Sequence, residues 1–280
     1  MTLLKNRNEA GKKLAEKLSE MAKGEKTIIL AIPRGGVVVG KEIAKKLGCS
    51  LDVIISKKIT PPSSPEYAIG AITHDGTIYQ GQYWDRFSQE PKFENEISKK
   101  KSEIKRRLEE YRGSADYKFD NKTVILVDDG IATGSTVFVL LKWLSERKVN
   151  RVILAVPVIP ANTFEEMKPL VDAIVALEIP VEFYAVGQFY EEFDQVSDEE
   201  VMTILDKFKK PQTVDMELVK SIKRVFSKSF CSICLSEGKL SKLDRLEVCP
   251  SCLGKIKEIE SEETIKISKE QTAGGIKDEL

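Results

Sequence analysis

Five short aliphatic runs recur along this chain, most of them separated by segments whose apolar residues fall at helical spacing. "TIILAIP", "LDVIIS", "KTVILVDD", "RVILAVPV" and "DAIVALEI" are rich in β-branched residues and show little apolar–polar alternation. A strand that is apolar on both sides must be covered on both faces, and strands alternating with helices pair in parallel through crossovers. The pattern predicts an α/β domain on a mostly parallel, twisted sheet with helices on both faces. Ligands of such sheets bind beyond the carboxyl ends of the strands. Here those ends carry "PRGG", "SKK" and "DDGIATGST", which the topology would bring to one edge.

The intervening helices are placed by the same periodicity. An amphipathic helix is expected from Asn8 to Ala22, a second over "VVVGKEIAKKLG" closed by Gly48, and a charged one from Phe93 to Arg112. Further helices are expected over "TVFVLLKWLSERK", from Thr163 to Met167 and from Asp198 to Phe208. "LDVIIS" reads as one strand that ends on Lys57 and Lys58. After the loop "TPPSSPE", the runs "YAIGAIT" and "TIYQGQYW" alternate around "HDG", which predicts a hairpin. "VEFYAVGQFY" reads as a last strand and loop.

Composition excludes several classes. Hydrophobic residues are 41% of the 280, enough for a full core, and 44 basic residues balance 44 acidic ones. No overall field therefore favours nucleic acid or an anionic membrane, and any anion site must be local. The first residues lack the apolar run of a signal peptide, and no stretch is long enough to span a bilayer. The closing "KDEL" reads as coincidence, and the expected location is cytoplasmic. The lone histidine, His74, excludes histidine-based metal or triad chemistry and reads as a turn residue.

"VILVDDGIATGST", Val124 to Thr136, carries the chemistry. Gly130 and Gly134 allow a tight turn, while Ala132, Thr133, Gly134, Ser135 and Thr136 lead into a helix whose first N–H groups are unpaired. Together these form a cradle for one phosphate monoester. The lysine of the nucleotide triphosphate loop and the three-glycine dinucleotide spacing are both missing. Asp128 and Asp129, at the strand end just ahead, can accept hydrogen bonds from vicinal hydroxyls. A diol and a phosphate at that separation describe ribose 5-phosphate.

This stretch resembles the phosphoribosyl pyrophosphate motif of type I phosphoribosyltransferases. "AIPRGG", "PEYAIGAI" and "FYAVGQFYEEFDQVSDEEV" extend the resemblance, from about Asn8 to Phe208, to a group of bacterial and archaeal phosphoribosyltransferases. The resemblance implies that Mg²⁺-bound phosphoribosyl pyrophosphate transfers its ribosyl group to a nitrogen acceptor such as a nucleobase, releasing pyrophosphate. Asp128 and Asp129 would be the catalytic pair. Arg34, Gly35 and Gly36 would hold the pyrophosphate with one of Lys57 and Lys58, strand alternation letting only one face the site. Tyr184 would stack on a base and Glu191 would lie near its edge, although core packing explains an aromatic there as well. The helix Phe93–Arg112 is either a lid bringing Arg106, Arg107 and Arg112 over the pyrophosphate or a solvent-facing helix. The alternative to an enzyme is a non-catalytic sensor of the same ligand that signals to a partner.

Two C-x-x-C pairs, Cys231 with Cys234 and Cys249 with Cys252, stand fourteen residues apart. That spacing predicts a tetrahedral structural Zn²⁺ site in a small ribbon. The expected organisation is a phosphoribosyltransferase-like domain over 1–212, a helical connector over 213–228, the zinc ribbon over 229–254 and a charged tail over 255–280. Basic residues around the ribbon leave nucleic acid or a protein open as its partner, and a homo-oligomer is equally open. Cys49, after the helix stop, reads as a buried structural thiol.

Overall fold

The computed structural model describes residues 3–22, 26–64, 66–119, 121–208, 241–243 and 246–248. The chain divides into two compact units, Met1–Lys209 and Lys210–Leu280. In the first, five strands form one parallel sheet: β1 (Thr27–Ala31), β2 (Ser50–Val53), β6 (Thr123–Val127), β7 (Arg151–Val158) and β8 (Ala173–Glu178), in the order β2-β1-β6-β7-β8. A smaller antiparallel sheet holds β3 (Ser56–Ile59), β4 (Gly70–Thr73) and β5 (Ile78–Gln80). The helices are α1 (Arg7–Leu18), α2 (Gly35–Leu47), α3 (Trp84–Phe87), α4 (Phe93–Arg112), α5 (Ser135–Ser145), α6 (Ala161–Met167) and α7 (Asp198–Phe208).

The apolar runs are buried on both sides because successive side chains go to opposite faces. Ile29, Ala31, Ile125, Val127 and Ile153 join one core with Leu14 and Leu18 of α1, Ile43 of α2 and Val201 of α7. Their neighbours Ile28, Leu30, Val124, Leu126 and Leu154 join the other with Val137, Leu140 and Leu144 of α5. Each such aliphatic side chain, fully buried, contributes about 1.5–3 kcal/mol relative to exposure. Cys49 is buried, and burial pushes its thiol up to about 11, as befits an inert packing residue.

Local chemistry sets the ends of the elements. Asn6 caps α1 by accepting from the Glu9 N–H, and Ser19 Oγ donates to the Glu16 carbonyl at 2.7 Å, so α1 closes at Leu18 instead of reaching Ala22. Gly48 and Gly113 close α2 and α4 in the left-handed conformation.

Three expectations are corrected. "LDVIIS" is not one strand ending on the lysines: β2 stops at Val53, and Lys57 and Lys58 belong to β3 of the antiparallel sheet. The stretch "VEFYAVGQFY" holds a 3-10 turn, Val186–Phe189, instead of a strand; Gln188 Oε1 accepts the N–H groups of Tyr184 and Ala185 and folds the turn back. Helix α4 is no free lid: its outer side faces solvent and carries the expected i,i+4 pairs Arg106–Glu110 and Arg107–Glu103, while its inner side is anchored. Phe93, Ile104, Leu108 and Tyr111 are buried in the core, the Tyr111 hydroxyl donates to Asp198, and Arg112 forks onto both oxygens of Asp52 at 2.7 and 2.8 Å.

The second unit is described only as an antiparallel pair, β9 (Ser241–Leu243) with β10 (Leu246–Val248). In sequence this pair lies between the two C-x-x-C segments. Cys231, Cys234, Cys249 and Cys252, the connector and the tail lie outside the described residues. Among the described residues no helix is long and apolar enough to cross a membrane.

Candidate active site at the sheet edge

β6 ends at Val127, so Asp128 and Asp129 stand at the carboxyl edge of the central strands, with the loop Gly130–Gly134 leading into α5. The loop is fixed from several directions. The Ile131 N–H donates to the Val158 carbonyl at 2.9 Å, and Ser56 Oγ donates to the Thr136 carbonyl at 3.1 Å. Gly134 caps α5 at φ 72°, and a Cβ there would stand 2.5 Å from Met167 Cε. Only glycine fits that conformation and that contact. Among the described residues, the N–H groups of Ala132, Thr133, Gly134, Ser135 and Thr136 take no protein acceptor. Five donors converging at a helix N-terminus suit an anion.

The acid pair is unequal. Asp128 Oδ1 accepts the Asp129 N–H at 2.8 Å. Its carboxyl is pushed well above the ordinary range, first by removal from water and then by the charge of Asp129. Asp129 Oδ2 takes a 2.7 Å bond from Arg7 Nε, and the Asp129 carbonyl accepts from the Tyr190 hydroxyl, also at 2.7 Å. Arg7 and Tyr190 escaped sequence reasoning, because nothing local marks residues 122 and 61 positions away as partners of Asp129.

The "PRGG" loop lies directly on this pair. A Cβ on Gly35 would sit 1.8 Å from Asp129 Oδ2, and one on Gly36 would sit 2.8 Å from the Val127 carbonyl. Both glycines are required by close approach. The Arg34 guanidinium is partly exposed and lies 4.0 Å from Asp198 Oδ1. Lys57 turns to α4 and pairs with Glu103 at 2.6 Å, whereas Lys58 is exposed and shares the strand side of Ser56. Ser56 bonds to Thr136, so strand alternation puts Lys58 on the α5 side of β3 and Lys57 on the α4 side.

Tyr184 is 87% exposed and lines a cavity of about 530 Å³ with Ala132, Thr133, Asn162, Glu166 and Phe183. Glu191 does not line it; its N–H donates to the Leu4 carbonyl and the residue is exposed. Besides Tyr184, the polar side chains on the cavity wall are Thr133 of the loop and Asn162, Thr163 and Glu166 of α6. A second cleft, about 440 Å³ between α1 and α2, is lined by Lys12, Glu16, Glu42, Lys45 and Lys46 and holds no group of the motif.

His74 follows β4 in the hairpin turn, as expected of a turn residue, but it also packs. Its ring lies 5.4 and 5.5 Å from those of Tyr117 and Trp143, and burial lowers its basicity.

The raised Asp128 carboxyl has a consequence for stability. The folded chain keeps this proton where an unfolded aspartate has lost it, so the group favours folding below about pH 4. That contribution is lost as pH rises through the raised value. Asp128→Asn cannot ionise, and urea melts are expected to show it gaining on the wild type from pH 4 to pH 8, reaching about 1 kcal/mol. Equal pH profiles for the two proteins would remove the inferred proton from Asp128.

Comparison with known proteins agrees with this geometry. The profile of the phosphoribosyl transferase domain matches residues 2–188. A protein of Mycobacterium tuberculosis known as Rv0571c in one strain and MT0597 in another, named provisionally as a phosphoribosyl transferase, is 35% identical over 214 residues. That alignment covers 74% of this chain but 47% of the relative, so the chain spans about half the relative's length. The crystal structure of TT1426 from Thermus thermophilus superimposes with a TM-score of 0.64 at 35% identity, covering 75% of this chain and all of that one. With the family profile spanning most of the first unit and its motif residues gathered at one sheet edge, this chain belongs to the phosphoribosyl transferase domain family.

Proposed function

We propose that this protein is a phosphoribosyltransferase that takes phosphoribosyl pyrophosphate as its magnesium salt, transfers the ribosyl group to a nitrogen acceptor and releases pyrophosphate. The observation that carries this reading is the convergence of the doubled acid, five unpaired N–H groups and the glycine loop at one sheet edge. The N–H groups and hydroxyls of Thr133, Ser135 and Thr136 hold the 5-phosphate. Asp128 and Asp129 hold the ribose hydroxyls and face the positive charge that develops at the anomeric carbon. The bond from that carbon to pyrophosphate breaks with its electron pair going to the leaving oxygen, a bond to the acceptor nitrogen forms, and the acceptor's N–H proton passes to water. Backbone N–H groups of Gly35 and Gly36, with Arg34 and Lys58, receive the leaving group. Mg²⁺ bound with the donor would supply charge neutralisation at the leaving group, where Arg34 and Lys58 stand.

The acceptor is assigned to the cavity between the phosphate loop and Tyr184, whose exposed ring is available to stack on a planar ring. From the sequence spacing alone, the two C-x-x-C pairs Cys231/Cys234 and Cys249/Cys252 would suit the donor set of a structural Zn²⁺ ion.

The test is pyrophosphate release from phosphoribosyl pyrophosphate and Mg²⁺ across a panel of nucleobases and small amines. Release that requires one acceptor supports the transferase and names its substrate class. Tight binding of the donor without release for any acceptor would sink the transferase in favour of a ligand sensor. Failure to bind the donor at all would overturn both.

A further inference from the structure

One charged side chain at the site is assigned no part in the reaction above. The segment before α1 is strapped to the turn that follows β8: Leu4 bridges Tyr190 in parallel, with Leu4 N–H to the Phe189 carbonyl at 2.9 Å and Glu191 N–H to the Leu4 carbonyl at 2.8 Å. The Glu192 N–H adds a bond to the Lys5 carbonyl at 2.9 Å, and Asn6 Nδ2 donates to Glu192 Oε2 at 3.0 Å. Helix α1 begins at the next residue, so the strap delivers Arg7 to the acid pair. The Arg7 side chain is 11% exposed and held on two sides: Nε donates to Asp129 Oδ2, Nη1 donates to the Asp194 carbonyl at 2.7 Å, and its carbon lies 3.8 Å from the centre of the Phe193 ring.

We propose that Arg7 is the positioning residue that lets two adjacent carboxyl groups hold the hydroxyls of an anionic sugar phosphate. The inference rests on the ligand proposed above. A doubled acid presents a charge problem, because a phosphorylated sugar brings several negative charges to within a few ångströms of it. Arg7 offsets one of those charges without touching the ligand. It also occupies one oxygen of Asp129, which fixes the carboxylate plane and aims the other oxygen at the diol. A guanidinium suits this task because its planar fork spans the carboxylate and the Asp194 carbonyl together, which an ammonium cannot do. Residues 189–194 are thereby tied to the acid pair through Arg7, in addition to the bond from the Tyr190 hydroxyl to the Asp129 carbonyl.

The ionisable groups facing the pair are few. Arg7 comes from α1 and the Tyr190 hydroxyl from the turn after β8, while the loop before α2 presents only Gly35 and Gly36, with Arg34 turned to Asp198. Arg7 is therefore the only facing cation among the described residues, and its charge opposes the upward push on Asp128.

The experiment uses the full chain as wild type, Arg7→Met and Arg7→Lys, each checked for native circular dichroism. Calorimetry with ribose 5-phosphate and with phosphoribosyl pyrophosphate plus Mg²⁺ is paired with carboxyl ¹³C NMR titration of the free proteins. Arg7→Met is expected to bind both ligands about 30-fold more weakly or worse. Its acid pair is expected to hold protons to higher pH than the wild type. Arg7→Lys is expected to fall between the two and carries the test if Arg7→Met does not fold. Binding by Arg7→Met within twofold of wild type, or tighter binding, overturns the proposal, the latter because Arg7 would then block the site. Wild type that binds neither ligand overturns the proposed function instead. In that case the carboxyl titration decides whether Arg7 holds the pair, and an unmoved titration rejects it.

Discussion

Pyrophosphate release by the double variant Asp128→Asn/Asp129→Asn is expected to fall about a thousandfold or more below that of the wild type. Two amides in these places preserve shape and volume but carry no negative charge toward the anomeric carbon. They also replace acceptor-only oxygens with N–H donors, so the hydroxyls of a diol meet the wrong partners on one side of each group. The folded chain is expected to survive the change. Asp128 is held above its ordinary range by burial and by its neighbour, so an amide at that position removes the cost of ionising it in the apo-protein. Arg7 loses its carboxylate partner at the same time, and its remaining bond to the Asp194 carbonyl and its stacking on Phe193 hold it in place. The outcome to measure is therefore a split: turnover and ribose 5-phosphate binding collapse while the melting temperature holds or rises. Turnover within tenfold of wild type would place the chemistry elsewhere.

The second large effect concerns stability. Trp143 of α5 is 1% exposed and stands at the centre of a cluster that joins α5 to the antiparallel sheet. Tyr117 and Phe119 meet its ring edge-on at 5.1 and 5.7 Å, Arg147 lies 3.6 Å from its centre, and its Nε1–H donates to Asp75 at 2.9 Å. Asp75 is desolvated there, yet it stays well below the ordinary carboxylate range because Thr73, Thr77 and Arg147 donate to it. Trp143→Ala is expected to cost about 3–5 kcal/mol, a drop of about 10 °C in the thermal midpoint. Trp143→Phe retains a ring but not the bond to Asp75, and is expected to cost about half as much. A midpoint for Trp143→Ala within 2–3 °C of wild type would mean that the cavity collapses without loss, which the packed rings around it argue against.

What the sequence made legible was whatever is contiguous. β7 and α7 fall on the expected residues because an unbroken apolar run and a clear helical stripe need no distant information. The acid pair and the phosphate loop were readable for the same reason, as thirteen adjacent residues. The run "LDVIIS" misled because continuous apolarity does not show where a strand changes sheets. Ile54 makes the last bond to β1, through its N–H to the Ala31 carbonyl, before the chain turns into β3. Helix α4 was read from its charges, which outnumber and mask the buried residues Ile104, Leu108 and Tyr111 on one face. Glu191 was named from the resemblance, together with Tyr184; with the 3-10 turn Val186–Phe189 between them, Tyr184 lines the cavity beside the loop and Glu191 does not. Arg7 had no local signal of any kind.

The strap between residues 4–6 and 189–192 has a consequence for how the protein comes into being. Arg7 bonds to Asp194 across 187 positions and to Asp129 across 122. During synthesis the acid pair emerges long before the segment that anchors its guanidinium, so the site is among the last parts of the domain to close. A chain released early, short of Asp194, carries every residue of the recognisable motif and still lacks the finished wall. On the proposed function, a bound sugar phosphate would stabilise only those domains whose wall is complete, and so would select finished chains over unfinished ones.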